Sequence, residues 1–397
     1  MSAKIDIDAA LAQWPDYLRM LAEAGELLDL LPDPNDAQAR QEVHRLLFLS
    51  LGTGFMTAFA DPDHPDFVAS VHTVFNASST NPDFLYLQAS VDGAGIYRIT
   101  GVRGTALFVH GDIAAGGLGV MDEFGPSVGQ FDLDALHIRD DGSFEILLSA
   151  DRADGYEGNW VRLDPRARTI VLRQASYDWG EEIDGRFTIE RVDRPLRPAR
   201  LSAVETSRRL QRLAQYPKRY AALWLKHMAG MRSRGLVNRF EVDDWAGRGG
   251  AGGQYYYQGL FQLPPGEVLV MESDVPERCL YWNVQLSDSL WNAVDWLNRQ
   301  SSLNARQARL DGDGRLRAVI ALQDPGVANW LDPGGFDNGS VMIRWNRSSS
   351  GPKPTLESMP QSALRRYLPA DTPMVTPAQR DESLRARRRG VQRRRRW

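Results

Sequence analysis

The feature that most constrains the fold is an echo within the chain. Asp141-Gly142-Ser143-Phe144-Glu145-Ile146 returns as Asp313-Gly314-Arg315-Leu316-Arg317-Ala318. Asn159-Trp160 precedes a run ending Val171-Leu172-Arg173-Gln174, and Asn329-Trp330 precedes Met342-Ile343-Arg344-Trp345. The offsets are 172, 170 and 171 residues. Turns and strands that recur at near-constant spacing predict two copies of one β-unit.

The rest of the chain fits around that duplication. Between Phe84 and Val192, short β-prone runs alternate with turn signals at Asp92-Gly93, Gly101, Asp141-Gly142, Asp154-Gly155, Asp164-Pro165 and Asp184-Gly185, the rhythm of an antiparallel sandwich. Leu11, Trp14, Leu18, Leu21, Leu27 and Leu30 recur at helical spacing until Pro32 and Pro34. Asn35 or Asp36 then caps a second helix carrying Val43, Leu46, Leu47, Leu49 and Leu51. Pro195 and Pro198 mark a linker, and Ser202 with Glu205 reads as a capping box opening a helix to about Arg234. Strand-like runs resume at Tyr255 and last to about Trp345, after which six prolines indicate an extended, poorly packed ending. The expected class is α+β, predominantly β: two related antiparallel β-sandwich (jelly-roll-like) units with an N-terminal helical segment and a helical linker. The expected boundaries are 1–80 for the helical segment, 81–194 for the first unit, 195–240 for the linker, 241–350 for the second unit and 351–397 for a disordered tail.

Composition narrows the function classes. A chain of 397 residues exceeds what one core usually organises, and 43% hydrophobic with 25% charged residues is ordinary for a globular protein. The longest apolar run, Leu46 to Leu51, is far short of a membrane span, and Met1 to Ala12 lacks the pattern of a secretory signal, so a cytoplasmic location is expected. Cys279 is the lone cysteine, which excludes an intramolecular disulfide or a multi-cysteine metal site. The net charge of −4 hides an asymmetry: nine of the last 18 residues are arginine, opposed by Asp381 and Glu382, so that segment carries +7 and the remainder −11. Such a segment reads as a solvated tail, or as a contact for an anionic partner through counterion release. Specific nucleic-acid recognition is not expected, since no aromatic residues interleave with the arginines before Trp397.

The common catalytic motifs fail on context. Gly247, Gly249 and Gly252 satisfy a dinucleotide-type glycine spacing, but acidic Glu241 to Trp245 precedes them and strand-like Tyr255-Tyr256-Tyr257 follows. His44, His64, His72, His110, His137 and His227 form no close ligand pair, so no metal and no cofactor are expected.

Strand faces are more informative. In Leu280 to Asp288 one face is Leu280, Trp282, Val284 and Leu286, while the other is Tyr281, Asn283, Gln285 and Ser287. Phe84, Tyr86, Gln88 and Ser90 repeat that theme, and Tyr256, Gln258 and Gln262 extend it. Faces so rich in rings and amides and so poor in Lys or Glu are expected to line a ligand pocket or to be buried between domains. Arg98, Arg103, Arg173 and Arg344 could orient a carboxylate or sulfate, or pair with internal acids. The segment Arg173 to Glu182 concentrates titratable groups. Asp178 beside Trp179, with Tyr177 and with Glu181 or Glu182, is expected to carry acid–base chemistry if the segment is not a plain surface turn.

Asn81-Pro82-Asp83, Tyr97-Arg98 with Gly101-x-Arg103-Gly104, Gly158-Asn159-Trp160, Asp178-Trp179, Tyr281-Trp282 with Asp288, Asn298-Arg299, Asn329-Trp330-Leu331 and Arg344 occur in that order. With these residues the chain resembles the bacterial domain of unknown function numbered 1214, often found with the one numbered 1254. The resemblance covers most of Asn81 to Arg347 and implies a β-sandwich with helical additions, but no reaction. The leading expectation is an enzyme, a cofactor-independent lyase, isomerase or hydrolase, acting on a small, largely apolar oxygenated molecule. Its residues would be Asp178, Tyr177 and Glu181 for catalysis, and Arg98, Arg103, Arg173, Tyr86, Tyr281, Asn283, Gln285 and Arg344 for binding. A non-catalytic carbohydrate or small-ligand binding module is the alternative, and a homo-oligomeric interaction scaffold a third reading.

Overall fold

The structure, a computed structural model, describes residues 11–69, 71–123, 125–245, 250 and 252–394. It is mixed α+β and mostly β, with sixteen strands in four sheets and five α-helices among the described residues. The first half holds β1 (Phe84–Ser90), β2 (Tyr97–Val102), β3 (Phe108–Ala114), β4 (Ser127–Asp132), β5 (Ser143–Ser149), β6 (Asn159–Arg162), β7 (Thr169–Ala175) and β8 (Arg186–Arg191). After β9 (Arg239–Asp243), the second half holds β10 (Gln254–Gln262), β11 (Glu267–Ser273), β12 (Cys279–Ser287), β13 (Ser302–Asn304), β14 (Leu316–Ile320), β15 (Trp330–Leu331), β16 (Asn338–Ser348) and β17 (Thr355–Pro360).

The first half forms sheets ordered β1-β7-β3-β4 and β6-β5-β2-β8; the second forms β10-β16-β12-β13 and β15-β14-β11-β17. The second pair of orders is the first with every strand advanced by nine. Each half also has one parallel pair, at the corresponding position, β5 with β6 and β14 with β15.

The residues of the sequence echo perform the same tasks in each half. Gly142 (φ 79°) and Gly314 (φ 77°) take the left-handed conformation that a side chain resists. Beside them Asp141 Oδ1 accepts from the Ser143 amide at 2.9 Å and Asp313 Oδ1 from the Arg315 amide at 3.0 Å. Asn159 donates to the carbonyls of His137 and Glu145 and accepts from the His137 amide. Asn329 donates to those of Arg309 and Arg317 and accepts from the Arg309 amide. A side-chain amide with two donors and an acceptor can satisfy the ends of two chain segments at once, which is why asparagine stands there in both halves.

Within each half the two sheets share one apolar core. Ile99, Phe144, Ile146 and Leu148 meet Val109, Ile113, Ile170 and Leu172 in the first, and Leu269, Met271, Leu316 and Ile320 meet Val284, Leu286, Val341 and Ile343 in the second. A third core joins the helices to the second half. It draws Leu27, Val43 of α2 (Ala37–Ala58) and Tyr220, Trp224 and Met228 of α3 (Ala203–Ser233) against Tyr256, Leu260, Trp291 and Met342. Ahead of α2 lies α1 (Trp14–Ala22). Of the two cap candidates, Asp36 is the cap of α2, accepting from the amides of Gln38 and Ala39. At α3 half of the expected capping box forms: Ser202 accepts from the Glu205 amide at 3.1 Å, while the Glu205 carboxylate turns to Arg208 and Arg209.

The C-terminal segment corrects the expectation of a disordered tail. β17 pairs with β11, a short α4 (Leu364–Tyr367) follows, and α5 (Pro377–Arg393) starts with a Thr376–Gln379 capping box and a proline in its first turn, where the missing N–H costs nothing. Arg380 and Arg394 are each 6% exposed. Arg380 donates to Gln300, Val327 and Asp324; Arg387 to the carbonyls of Trp296 and Ser302; Arg394 to Asp184 and to the carbonyls of Asp83 and Gln174. Arg380 and Arg387 hold the second half and Arg394 the first, so α5 fastens the two together. The residues from 395 onward lie outside the described part.

Candidate functional site

Strand register creates the same pair twice. Tyr86 on β1 faces Arg173 on β7, and Tyr256 on β10 faces Arg344 on β16. The guanidinium carbons lie 5.8 and 5.9 Å from the respective ring centres, within cation–π range. The next strand, β3 or β12, sets His110 opposite Arg173 and Asn283 opposite Arg344. These faces belong to sheets of different halves, and both Tyr–Arg pairs line one cavity of about 190 Å³. Its wall is completed by Trp224 of α3, by Trp245 and Trp291, and by Ser79 and Asn81 of the segment leading into β1. Trp245 and Trp291 stack with ring centres 6.0 Å apart, and His227 packs edge-on against both.

Arg344 is 6% exposed, and its Nη1 donates to Asn283 Oδ1 at 3.2 Å and Gln285 Oε1 at 2.6 Å. Those amides are fixed in turn: Gln285 donates to the Ser79 carbonyl and hydroxyl at 3.1 and 3.0 Å, and Asn283 to Asn81 Oδ1 at 3.0 Å. Among the described residues, the side-chain acceptors of this buried cation are therefore neutral amide oxygens. Asp112, 1% exposed, also lines the cavity; its Oδ1 accepts from Ser127 Oγ at 2.6 Å and Gln130 Nε2 at 3.1 Å. Burial, reinforced by Arg173, pushes His110 down to about 4, so its imidazole is neutral at pH 7. Burial raises the Tyr86 phenol against the opposing pull of Arg173 and Arg344, keeping it a protonated donor.

The residues expected to bind divide into four groups. Tyr86, Arg173 and Arg344 line the cavity. Asn283 and Gln285 stand behind Arg344 as its supports. Tyr281 is fully buried between the halves, where its hydroxyl donates to Asp83 Oδ2 at 2.8 Å. Arg98 and Arg103 are elsewhere: Arg98 faces Glu190 at 3.7 Å, and Arg103 clamps both oxygens of Asp134 at 2.6 and 3.0 Å. The neutral-polar face of β12 is thus split between a contact of the two halves and support for the cavity.

Asp178, Tyr177 and Glu181 are not brought together at the cavity. Asp178 sits on a turn with its side chain 33% exposed, accepting from the Gly180 amide at 3.1 Å and facing Arg306 at 3.5 Å. Tyr177 Oη accepts from the Trp282 amide at 2.8 Å, and burial raises its phenol. Glu181 is exposed at a separate groove, and Glu182 accepts from the amides of Tyr177 and Asp178. Trp179 turns its indole N–H away from Asp178 to Asp83 Oδ1, 2.9 Å away. Asp83 is the buried carboxyl that sequence reasoning missed. It also accepts from Asn304 at 2.6 Å, and burial raises its carboxyl. Asp112 and the tryptophan wall were missed as well; the alternation Phe108, His110, Asp112 along β3 is the signal that could have found Asp112. Gly247 and Gly249 lie outside the described residues.

No protein-family model matches the chain, and no curated protein matches it. Among solved structures it is similar to the crystal structure of an uncharacterised protein from Burkholderia cenocepacia, with 32% identity and a TM-score of 0.83 over 88% of this chain and 97% of that one. A structure from Vibrio parahaemolyticus matches with 11% identity and a TM-score of 0.45 over 80% of this chain and 99% of that one.

Proposed function

The chain belongs to the family of the uncharacterised Burkholderia cenocepacia protein, and on that premise we propose that it takes a small, largely apolar molecule bearing an oxygen function into the cavity between its halves. The observation that carries this reading is the convergence of two Tyr–Arg pairs, one from each half, on one tryptophan-walled space. Rings supply apolar area, and guanidinium groups fix oxygens with directed, charge-assisted bonds. The repeated sheet orders, turns and asparagine bridges support reading the halves as two copies of one jelly-roll-like sandwich unit, with the cavity at their seam. The resemblance to the domain numbered 1214 belongs to the same reading: Asn81, Asp83, Trp179, Tyr281 and Arg344, all among the residues that carry it, meet at or beside that seam. Acid–base chemistry on such a ligand would fall to the cavity wall, where Asp112 is the carboxylate, rather than to Asp178.

A carbohydrate module would use the same rings and amides but has no need of two buried guanidinium groups. Calorimetric titration with benzoate, cyclohexanecarboxylate, glucose and cellobiose separates the readings. The carboxylates should bind and the sugars should not. Arg344→Gln should weaken carboxylate binding by roughly tenfold to a hundredfold, the range of a charge-assisted hydrogen bond of about 1.5–3 kcal/mol. Sugar binding that survives Arg344→Gln would favour the module instead.

A further inference from the structure

We infer that the cavity selects a monoanion, a single carboxylate on a ring-sized apolar body, and that Asp112 is the residue that excludes a second negative charge. This rests on the cavity being the ligand site proposed above, and it names the ligand class.

Equivalent register positions in the two halves carry different charge. On β3, Asp112 pairs in register with Val171, which pairs with Gln88 on β1. On β12, Gln285 pairs with Met342, which pairs with Gln258 on β10. Asp112 and Gln285 therefore occupy the same place in the two halves, each two residues along the strand from the partner of an arginine. In the second half that place holds an amide, and its oxygen receives Arg344 Nη1 at 2.6 Å. In the first half it holds a carboxylate.

Charge then decides the ligand. Among the described residues, the charged side chains lining the cavity are Arg173, Arg344 and Asp112, a net of +1. A buried cation supported by neutral oxygens is costly until an anion completes it, whereas a carboxylate such as Asp112 repels any second anion brought into the same low-dielectric space. One carboxylate balances these three described charges and two overload them. The flat rings of Trp224, Trp245 and Trp291 provide the matching apolar surface for the body of the ligand.

The test titrates the full-length protein with benzoate and with phthalate, a dianion, at about pH 8. The wild type should prefer benzoate by at least about tenfold. Asp112→Asn should shift the phthalate-to-benzoate ratio toward phthalate by about tenfold or more. The reverse change, Gln285→Glu, sets a second carboxylate beside Arg344 and should weaken benzoate binding by a similar factor, which keeps the test open if Asp112→Asn fails to fold. Benzoate binding that depends on Arg344, with a ratio unmoved by either variant, would overturn the role of Asp112 and leave the site standing. Absence of benzoate binding, or binding indifferent to Arg344→Gln, would overturn the site and this inference together.

Discussion

At the scale of single residues, identical register positions carry different chemistry in the two halves, and His110 is the clearest case. It stands where the second half has Asn283, and its depressed pKa of about 4 has a consequence for stability. Between pH 6.5 and about 4 the unfolded chain takes up a proton that the folded chain refuses, so His110 makes stability rise with pH across that window. The contribution reaches about 3 kcal/mol and is absent above the window. His110→Asn, which installs the residue of the other half, should flatten that part of the pH dependence. Urea unfolding of both proteins at about pH 4.5 and 7 measures it, and equal pH differences in the two would refute the buried neutral imidazole. Asp83 acts in the opposite sense, because a raised carboxyl holds its proton in the folded state and makes stability fall as pH rises above 3.8. The comparison with the variant, not the wild-type slope alone, is therefore the informative quantity.

At the scale of elements, α5 behaves as a clasp. Arg387 lies 4.5 Å from the Trp179 ring centre, and burial lowers its guanidinium to about 10. Arg394 meets Asp184 at 2.8 Å with both side chains under 10% exposed. Breaking such a pair strands a buried charge, so Arg394→Ala should destabilise the protein by about 3–5 kcal/mol, read as a fall in the urea midpoint. Ending the chain at Thr376 should also expose Trp179 and shift its fluorescence to longer wavelength; an unchanged midpoint and spectrum would contradict the clasp. This element was illegible as sequence, because arginine was counted there as surface charge. A guanidinium presents five donors and a flat face, and in α5 those satisfy interior carbonyls and cover an indole. The second helix and the long helix after Ser202 were legible, since their caps and apolar spacing are local. The turns at Gly142 and Gly314 and the bridging Asn159 and Asn329 were legible too, because tight turns and bridging amides demand particular residues at particular places.

At the scale of the whole molecule, the two halves meet through a polar seam and an apolar one side by side. Asp83 gathers Trp179 from its own half and Tyr281 and Asn304 from the other, while Phe84, Phe108 and Ala175 pack against Tyr281. With α5 fastening both halves, unfolding should be one transition, with far-ultraviolet circular dichroism and tryptophan fluorescence coinciding in urea; two separated transitions would show independent halves. The long-range part of the site was hidden in the sequence. Tyr86 and Arg173, or Tyr256 and Arg344, become neighbours through strand register, and Trp224, Trp245 and Trp291 converge from separate segments. Asp178 and Trp179 are neighbours in sequence, but their side chains enter different surroundings, Asp178 facing the Gly180 amide and Arg306 and Trp179 reaching Asp83. The most direct test of the central claim is a crystal structure with 4-bromobenzoate, located by the anomalous signal of bromine. The account predicts bromine among the three tryptophans with the carboxylate on Arg344; bound ligand found elsewhere, with this cavity empty, would contradict it.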